Sequence, residues 1–217
     1  FGSELATALR NVIALVIPCA ALLFFMGPQI GIILYGHGAS SLAAGSAVGE
    51  VASMFALGLP AFSIFYVLLR NYYAQENTKT PFMINLGFNA LHMGIGVTLF
   101  YLVAEPLKVA SLAFAYSIGY TLVVMFTWRR VARRLPALGT KALVQLTSRI
   151  LVAVSVIGLA SWAITHTLLR PETTAKALVQ LIIFTSIYAV GLIACGKFMK
   201  IRVFDEYLQQ AFRRRNG

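Results

Sequence analysis

Six long, nearly uncharged apolar runs divide the chain, and they constrain its fold more than any other feature. An α-helix rises about 1.5 Å per residue, so crossing a hydrocarbon core of about 30 Å takes about 20 such residues. Backbone amides in lipid must bond within their own segment, which favours helices. The runs are Val12–Leu34, Val48–Leu69, Phe82–Val103, Val109–Trp128, Ile150–Leu169 and Ala177–Phe198. We therefore predict an all-α, polytopic transmembrane helix bundle with six spans.

The charge content agrees with a lipid environment. Of the 217 residues, 59% are hydrophobic and only 12% are charged, whereas a soluble domain carries roughly 25% charged residues. The net charge of +11 would suit nucleic acid if the basic residues covered one folded face. They lie between the apolar runs instead, so we expect membrane lipid as a partner and no nucleic acid. Cys19 and Cys195 lie inside apolar runs, which predicts neither a disulfide framework nor a metal site.

The distribution of Lys and Arg predicts the orientation. If both ends of the chain lie in the cytoplasm, fifteen of the eighteen basic residues fall on inner segments, and only Lys108, Arg170 and Lys176 fall on outer loops. This large positive-inside bias predicts a multi-pass protein with both ends cytoplasmic. The apolar stripe of the segment 201–215 predicts either a short helix on the cytoplasmic membrane surface or a solvated end after the last span.

Few ionisable groups fall in or near the spans, and these are candidates for a substrate path. They are Arg10, just before the first span, Glu50, about one turn inside the second, and His92 in the third. Glu50 can also reach the headgroups, which is the alternative reading. His92 shares one helical face with Asn85 and Asn89, because the three are spaced at i, i+4 and i+7. Such a polar stripe either bonds to neighbouring helices or lines a pathway.

The same stripe suggests a cation site. Amide and carbonyl oxygens suit hard cations, so Asn85 and Asn89, with the Tyr116 hydroxyl or a carbonyl near Leu112, are candidates to hold a coupling monovalent cation. We expect no other cofactor. The sequence shows no Ser/His/Asp arrangement, Gly-rich phosphate loop or paired carboxylates, so we predict no catalytic residues and no enzyme.

Prolines and glycines predict bends in the first two spans. Pro18 and Pro60 lie in mid-span, and Gly27-Pro28 is expected to interrupt the first helix near its outer end. Each proline removes one backbone hydrogen bond, which a neighbouring group must replace. Broken helices of this kind line the path in transporters, although they also occur as static bends.

The most distinctive stretch is the inner loop 70–81. Its motif consists of Arg70, Tyr73, Thr78, Lys79, Thr80 and Pro81. We expect Thr80 to cap the next helix and Pro81 to lie in its first turn.

This loop resembles that of the MurJ (MviN) family of bacterial lipid II flippases. Members carry an Arg, an aromatic-Tyr-Ala cluster and Asp-Thr-Lys/Arg-Thr-Pro here, and this chain has Asn77 in place of the usual Asp. The runs 14–18, 27–28 and 32–36 are similar to the ninth span of the family, and 111–117 is similar to the twelfth. The resemblance covers nearly the whole chain as spans nine to fourteen of fourteen.

The resemblance implies half of a two-lobed, exporter-type transporter in the bacterial inner membrane. It implies alternating access that moves lipid II, the lipid-linked peptidoglycan precursor, from the inner to the outer leaflet. Residues 1–135 would form the lobe, 136–200 a two-helix groove for the lipid tail and 201–217 a cytoplasmic tail. The family's cationic cavity lies mostly in earlier spans, so the rest of a parent chain is an expected partner.

Three alternatives remain open. Another flippase of the same superfamily, acting on a different lipid-linked oligosaccharide, would lack the Thr-Lys-Thr-Pro loop in this form. A membrane enzyme acting on lipid phosphates would need convergent acid, base or metal groups, and Glu50, His92, His37 and His166 are scattered along the chain. A scaffold could recruit partners through the basic residues 129–134, although the positive-inside bias already explains that cluster.

Overall fold

The computed structural model describes residues 2–37, 41–168 and 173–198, which form a bundle of helices. The α-helices are α1 (Gly2–Tyr35), α2 (Leu42–Ala56), α3 (Leu59–Tyr73), α4 (Lys79–Leu102), α5 (Lys108–Arg134), α6 (Thr140–Leu168) and α7 (Thr174–Phe198). Short 3₁₀ turns at Glu105–Leu107 and Pro136–Leu138 lead into α5 and α6. The predicted tail 201–217 lies outside the described residues.

The six predicted spans correspond to these helices. Helices α1 and α4 to α7 are each long and apolar enough to cross a membrane, and α2 with α3 forms one broken span bent by 44°. The all-α class is therefore confirmed, and five long helices with this bent pair fit the six predicted spans.

The break in the second span is held by α5. Pro60 lies in the first turn of α3 and has no N–H to donate. The N–H of Gly58 donates to the Phe55 carbonyl at 2.9 Å rather than to Met54. The Met54 carbonyl accepts a hydrogen bond from the Ser117 hydroxyl at 2.6 Å instead. A side chain from α5 thus replaces the backbone bond lost at the bend, as an apolar environment requires.

The first helix continues through both of its prolines, so the predicted interruption at Gly27-Pro28 is wrong. Gly27 and Gly31 lie one turn apart on the face that α2 covers, and an added Cβ at either would collide with α2 atoms, among them the carbonyls of Gly49 and Gly45. This close packing supports α1 on both sides of Pro28, because neighbouring helices can compensate for one missing backbone bond.

Helix α1 is the centre of the bundle, and it packs against α2, α3, α6 and α7. Its buried residues Leu9, Ile13 and Ile17 share one core with Phe65 and Leu68 of α3. The α6–α7 hairpin has α1 as its main partner, whereas α4 packs chiefly on α5. Helix α1 therefore lies between the α2–α3 pair and the α6–α7 pair.

Candidate functional site

Asn85, Asn89 and His92 lie on one face of α4, as their spacing predicts. A hydrogen bond from the Asn89 side chain to the Asn85 backbone links the first two. Asn85 is half-buried and Asn89 is exposed. The Asn89 Nδ2 donates to the Asn85 carbonyl at 2.9 Å. The side-chain oxygens of Asn85 and Asn89 form no hydrogen bond with any residue that the structure describes.

His92 and Tyr116 belong to an aromatic cluster between α4, α5 and the end of α2. The His92 ring stacks on Phe88 at 5.8 Å and meets Tyr116 edge-on at 5.4 Å. Tyr116 also contacts Phe55 at 5.3 Å and Tyr120 at 4.6 Å. The structure brings His92 and Tyr116 together, but no hydrogen bond between described residues joins them to Asn85 or Asn89.

The other two path candidates lie apart from this cluster. Arg10 is exposed on the part of α1 that precedes the predicted span. Glu50 is exposed on α2, which begins at Leu42, so it lies about two turns inside the helix rather than one. No ion pair in the described ranges connects Arg10, Glu50 and His92.

The loop motif forms a defined turn between α3 and α4. The Asn77 N–H donates to the Tyr72 carbonyl and the Glu76 N–H to the Tyr73 carbonyl, both at 3.0 Å. Glu76 takes the left-handed conformation, with φ of 55°. These are the bonds and the conformation of a Schellman motif, which satisfies the last carbonyls of a helix.

Asn77, and not Thr80, caps α4. The Asn77 Oδ1 accepts the backbone N–H of Thr80 at 3.0 Å, and Thr80 itself is the second residue of the helix. The predicted role of Thr80 is therefore wrong, because the acceptor must precede the free N–H groups of the first turn. Pro81 lies in that turn, as predicted. An Asp at position 77 would offer the same acceptor.

The motif side chains differ in exposure. Arg70, Tyr73, Thr78 and Lys79 are exposed, Thr80 is half-buried and Pro81 is buried. Lys79 and Thr80 line one end of a cavity of about 600 Å³ between α4 and α5. The loop thus fixes the position of one cationic side chain at the mouth of a cavity.

A buried polar link between α1 and the hairpin was missed by the sequence reasoning. The Gln29 Nε2 donates to the Gln180 Oε1 at 3.2 Å, and both side chains are buried. The Gln180 Nε2 lies 3.4 Å from the His166 Nδ1 on α6. The Tyr188 hydroxyl donates to the Pro18 carbonyl at 3.1 Å. Single Gln residues in apolar runs were the available signal, since buried amides need partners.

Taken together, six apolar spans, a broken second span and polar groups inside the bundle define a polytopic helical membrane protein of transporter type. The family model for the lipid II flippase MurJ matches residues 1–192. The chain belongs to this family.

Curated relatives agree with the family. A probable lipid II flippase MurJ of Rhizobium tropici is 29% identical over 151 residues, covering 70% of this chain and 28% of the relative. The lipid II flippase MurJ of Thermosipho africanus is 32% identical over 83 residues, covering 38% of this chain and 18% of the relative. The chain therefore spans about a quarter or less of the curated relatives that it matches.

The fold matches a solved structure as well. A lipid II flippase MurJ in an inward closed conformation superposes with a TM-score of 0.64 at 21% identity, covering 90% of this chain and 39% of that one. At this identity, the likeness supports the fold: a bundle that corresponds to part of a larger transporter.

Proposed function

We propose that this chain contributes six spans to a flippase that moves lipid II, the lipid-linked peptidoglycan precursor, from the inner to the outer leaflet by alternating access. The observation that carries the proposal is the family match over residues 1–192. The action is transport without a covalent step. The protein would lie in the bacterial inner membrane with both ends cytoplasmic, and the rest of a parent chain would supply the other lobe.

The α6–α7 hairpin is the proposed groove for the lipid tail. Its outer surface exposes aliphatic side chains on both helices, among them Val152 and Val156 on α6 and Ile182 and Val190 on α7. From Ile150 to Leu168 and from Ala177 to Gly196 there is no Asp, Glu, Lys or Arg. An acyl chain can lie along such a surface without desolvating a charge.

Glu50, Arg10 and His92 remain the proposed residues of the substrate path. The position of Glu50, about two turns inside α2, favours this role, because an ionisable group deeper in a span is more costly to place there. His92 is held by the rings of Phe88 and Tyr116, which fixes its orientation.

Asn85, Asn89 and Tyr116 remain the proposed cation site. Two amide oxygens on one helical face match the ligand chemistry of a hard monovalent cation, and Tyr116, whose ring meets His92 of the same face, would supply the hydroxyl. The fit rests on the free side-chain oxygens of Asn85 and Asn89 described above. Arg70, Lys79 and the other motif residues would set the inner loop that joins α3 to α4.

Depletion of the full-length protein in its host tests the flippase proposal. Exposure of lipid II at the outer leaflet should fall after depletion and return with the wild-type gene. Unchanged exposure, in a host without a second flippase, would contradict it.

The cation proposal needs its own variants. Asn85→Ala combined with Asn89→Ala should weaken the sodium dependence of transport, while Thr98→Ala should leave it unchanged. Thr98 is a suitable control because it is exposed on the same helix and its hydroxyl donates to the Gly94 carbonyl one turn earlier. Wild-type transport with unaltered sodium dependence in the double variant would exclude the site.

A further inference from the structure

A groove lies between α4 and α5, at the end of the pair that holds Lys79 and Arg130. It has a volume of about 600 Å³, within the range of ligand-binding pockets. Its walls are mostly apolar, and its principal lining residues are Met83, Ile84, Leu91, Leu122 and Phe126.

Two cations stand at the mouth of this groove. Lys79 begins α4 and Arg130 lies near the end of α5, and both line the cavity. The Arg130 guanidinium lies over the Phe126 ring at 5.9 Å, which keeps it at the rim. Neither cation forms an ion pair with a carboxylate in the part of the chain that the structure describes, so both are available to an anion.

The basic end of the groove continues into a second cavity. This cavity has a volume of about 360 Å³, shares Phe126 and Arg130 with the first, and is otherwise lined by Arg129, Arg133 and Arg134. An apolar slot between two spans thus opens on a cluster of basic side chains at one level of the membrane. Positive-inside topology explains basic residues on this side, but it does not explain why they border an apolar cavity.

We propose that this groove binds an anionic phospholipid of the inner leaflet, with one acyl chain between α4 and α5 and its phosphate between Lys79 and Arg130. Basic pockets between transmembrane helices on the cytoplasmic side are a recognised form of anionic-lipid site. The occupant is a bilayer lipid and not the transported precursor, so the inference does not depend on the proposed function.

Gly87 provides a selective way to fill the groove. It lines the cavity, and an added Cβ would meet no atom within 4 Å. Gly94 lies two turns further along α4, is equally open, and does not line the groove. Gly87→Leu should therefore block the groove without disturbing the helix packing, and Gly94→Leu is its matched control.

The test uses the full-length protein in nanodiscs that contain phosphatidylglycerol with a photoreactive acyl chain. Peptide mapping should find label on Met83, Leu91 or Leu122, in excess over an equal fraction of photoreactive phosphatidylcholine. Lys79→Gln with Arg130→Gln should lower that labelling about thirtyfold, the loss expected for two basic contacts with an anionic headgroup. Lys141→Gln with Arg149→Gln removes the same amount of charge elsewhere on the inner side, and this variant should keep the wild-type labelling.

Four outcomes would overturn the proposal. One is equal labelling by the two lipids, and another is an equal loss with both charge pairs, which would indicate general surface attraction. The third is labelling that survives Gly87→Leu, and the fourth is an absence of label on the groove residues of the wild-type protein.

Discussion

The α1–α2 and α4–α5 pairs are both formed by consecutive helices, but they pack in opposite ways. Between α1 and α2, Gly27, Gly31, Gly45 and Gly49 bring the two backbones into contact. Between α4 and α5, the rings of Phe88 and Tyr120 meet at 4.2 Å, and Phe88 also lines the groove. Small residues in lipid favour close approach of helices, so one pair forms a fixed contact and the other leaves space for a ligand.

The strongest way to break this comparison is to place a large residue in the close contact. In Gly49→Leu, the new Cβ would collide with the Gly27 carbonyl and the Pro28 Cα. We expect a loss of about 3 kcal/mol or more in the free energy of unfolding, because backbone cannot move aside as a side chain can. Unfolding in detergent, followed by circular dichroism, measures it.

Gly94→Leu on α4 is the control for that experiment. Its Cβ would enter open space, so we expect a change within about 0.5 kcal/mol. Equal losses of unfolding free energy in the two variants would show that the glycines of α1 and α2 are no more important for helix packing than those of α4.

A second experiment measures how much the hydrogen bond between Gln29 of α1 and Gln180 of α7 contributes to stability. Gln29→Leu removes the donor to the buried Gln180 Oε1, and we expect it to cost about 1 to 2 kcal/mol. Gln29→Leu with Gln180→Leu should cost less than the sum of the single changes, by about 1 kcal/mol. A denaturant titration of the four proteins gives this coupling energy, and strict additivity would mean that the hydrogen bond contributes nothing.

The smallest expected effect concerns the entry to α4. Asn77→Ala removes the acceptor of the Thr80 N–H and should lower stability by about 1 kcal/mol. Asn77→Asp keeps an acceptor oxygen and should be close to neutral. Thermal unfolding of the two variants provides the measurement. If Asp were as damaging as Ala, the side chain would have a role other than capping.

The helices could be predicted from the sequence because each apolar run must satisfy its own backbone in lipid. The bend in the second span was also accessible, since Pro60 lacks an N–H. The continuity of α1 at Pro28 was not, because it depends on glycines of α2 that the chain brings against α1 only when folded. Thr80 was taken for the cap because the helix was expected to start later than Lys79.

The candidate site was predictable to a smaller extent. The face shared by Asn85, Asn89 and His92 follows from helical spacing alone. The pairing of Gln29 with Gln180 joins positions 151 residues apart, and nothing local in either segment indicates the other. The groove beside Lys79 depends on the distance between two helices, which residue spacing does not reveal.

The joint between α2 and α3 makes the second span a mechanical lever. Each arm has 15 residues, so it is a rod of about 22 Å. A change of about ten degrees in the angle between the arms would swing the far tip of one of them by about 4 Å. A single hydroxyl, that of Ser117, lies at the pivot and bonds across it to Met54. A small change of angle at this bond is therefore amplified into a displacement of several ångströms at the end of the span.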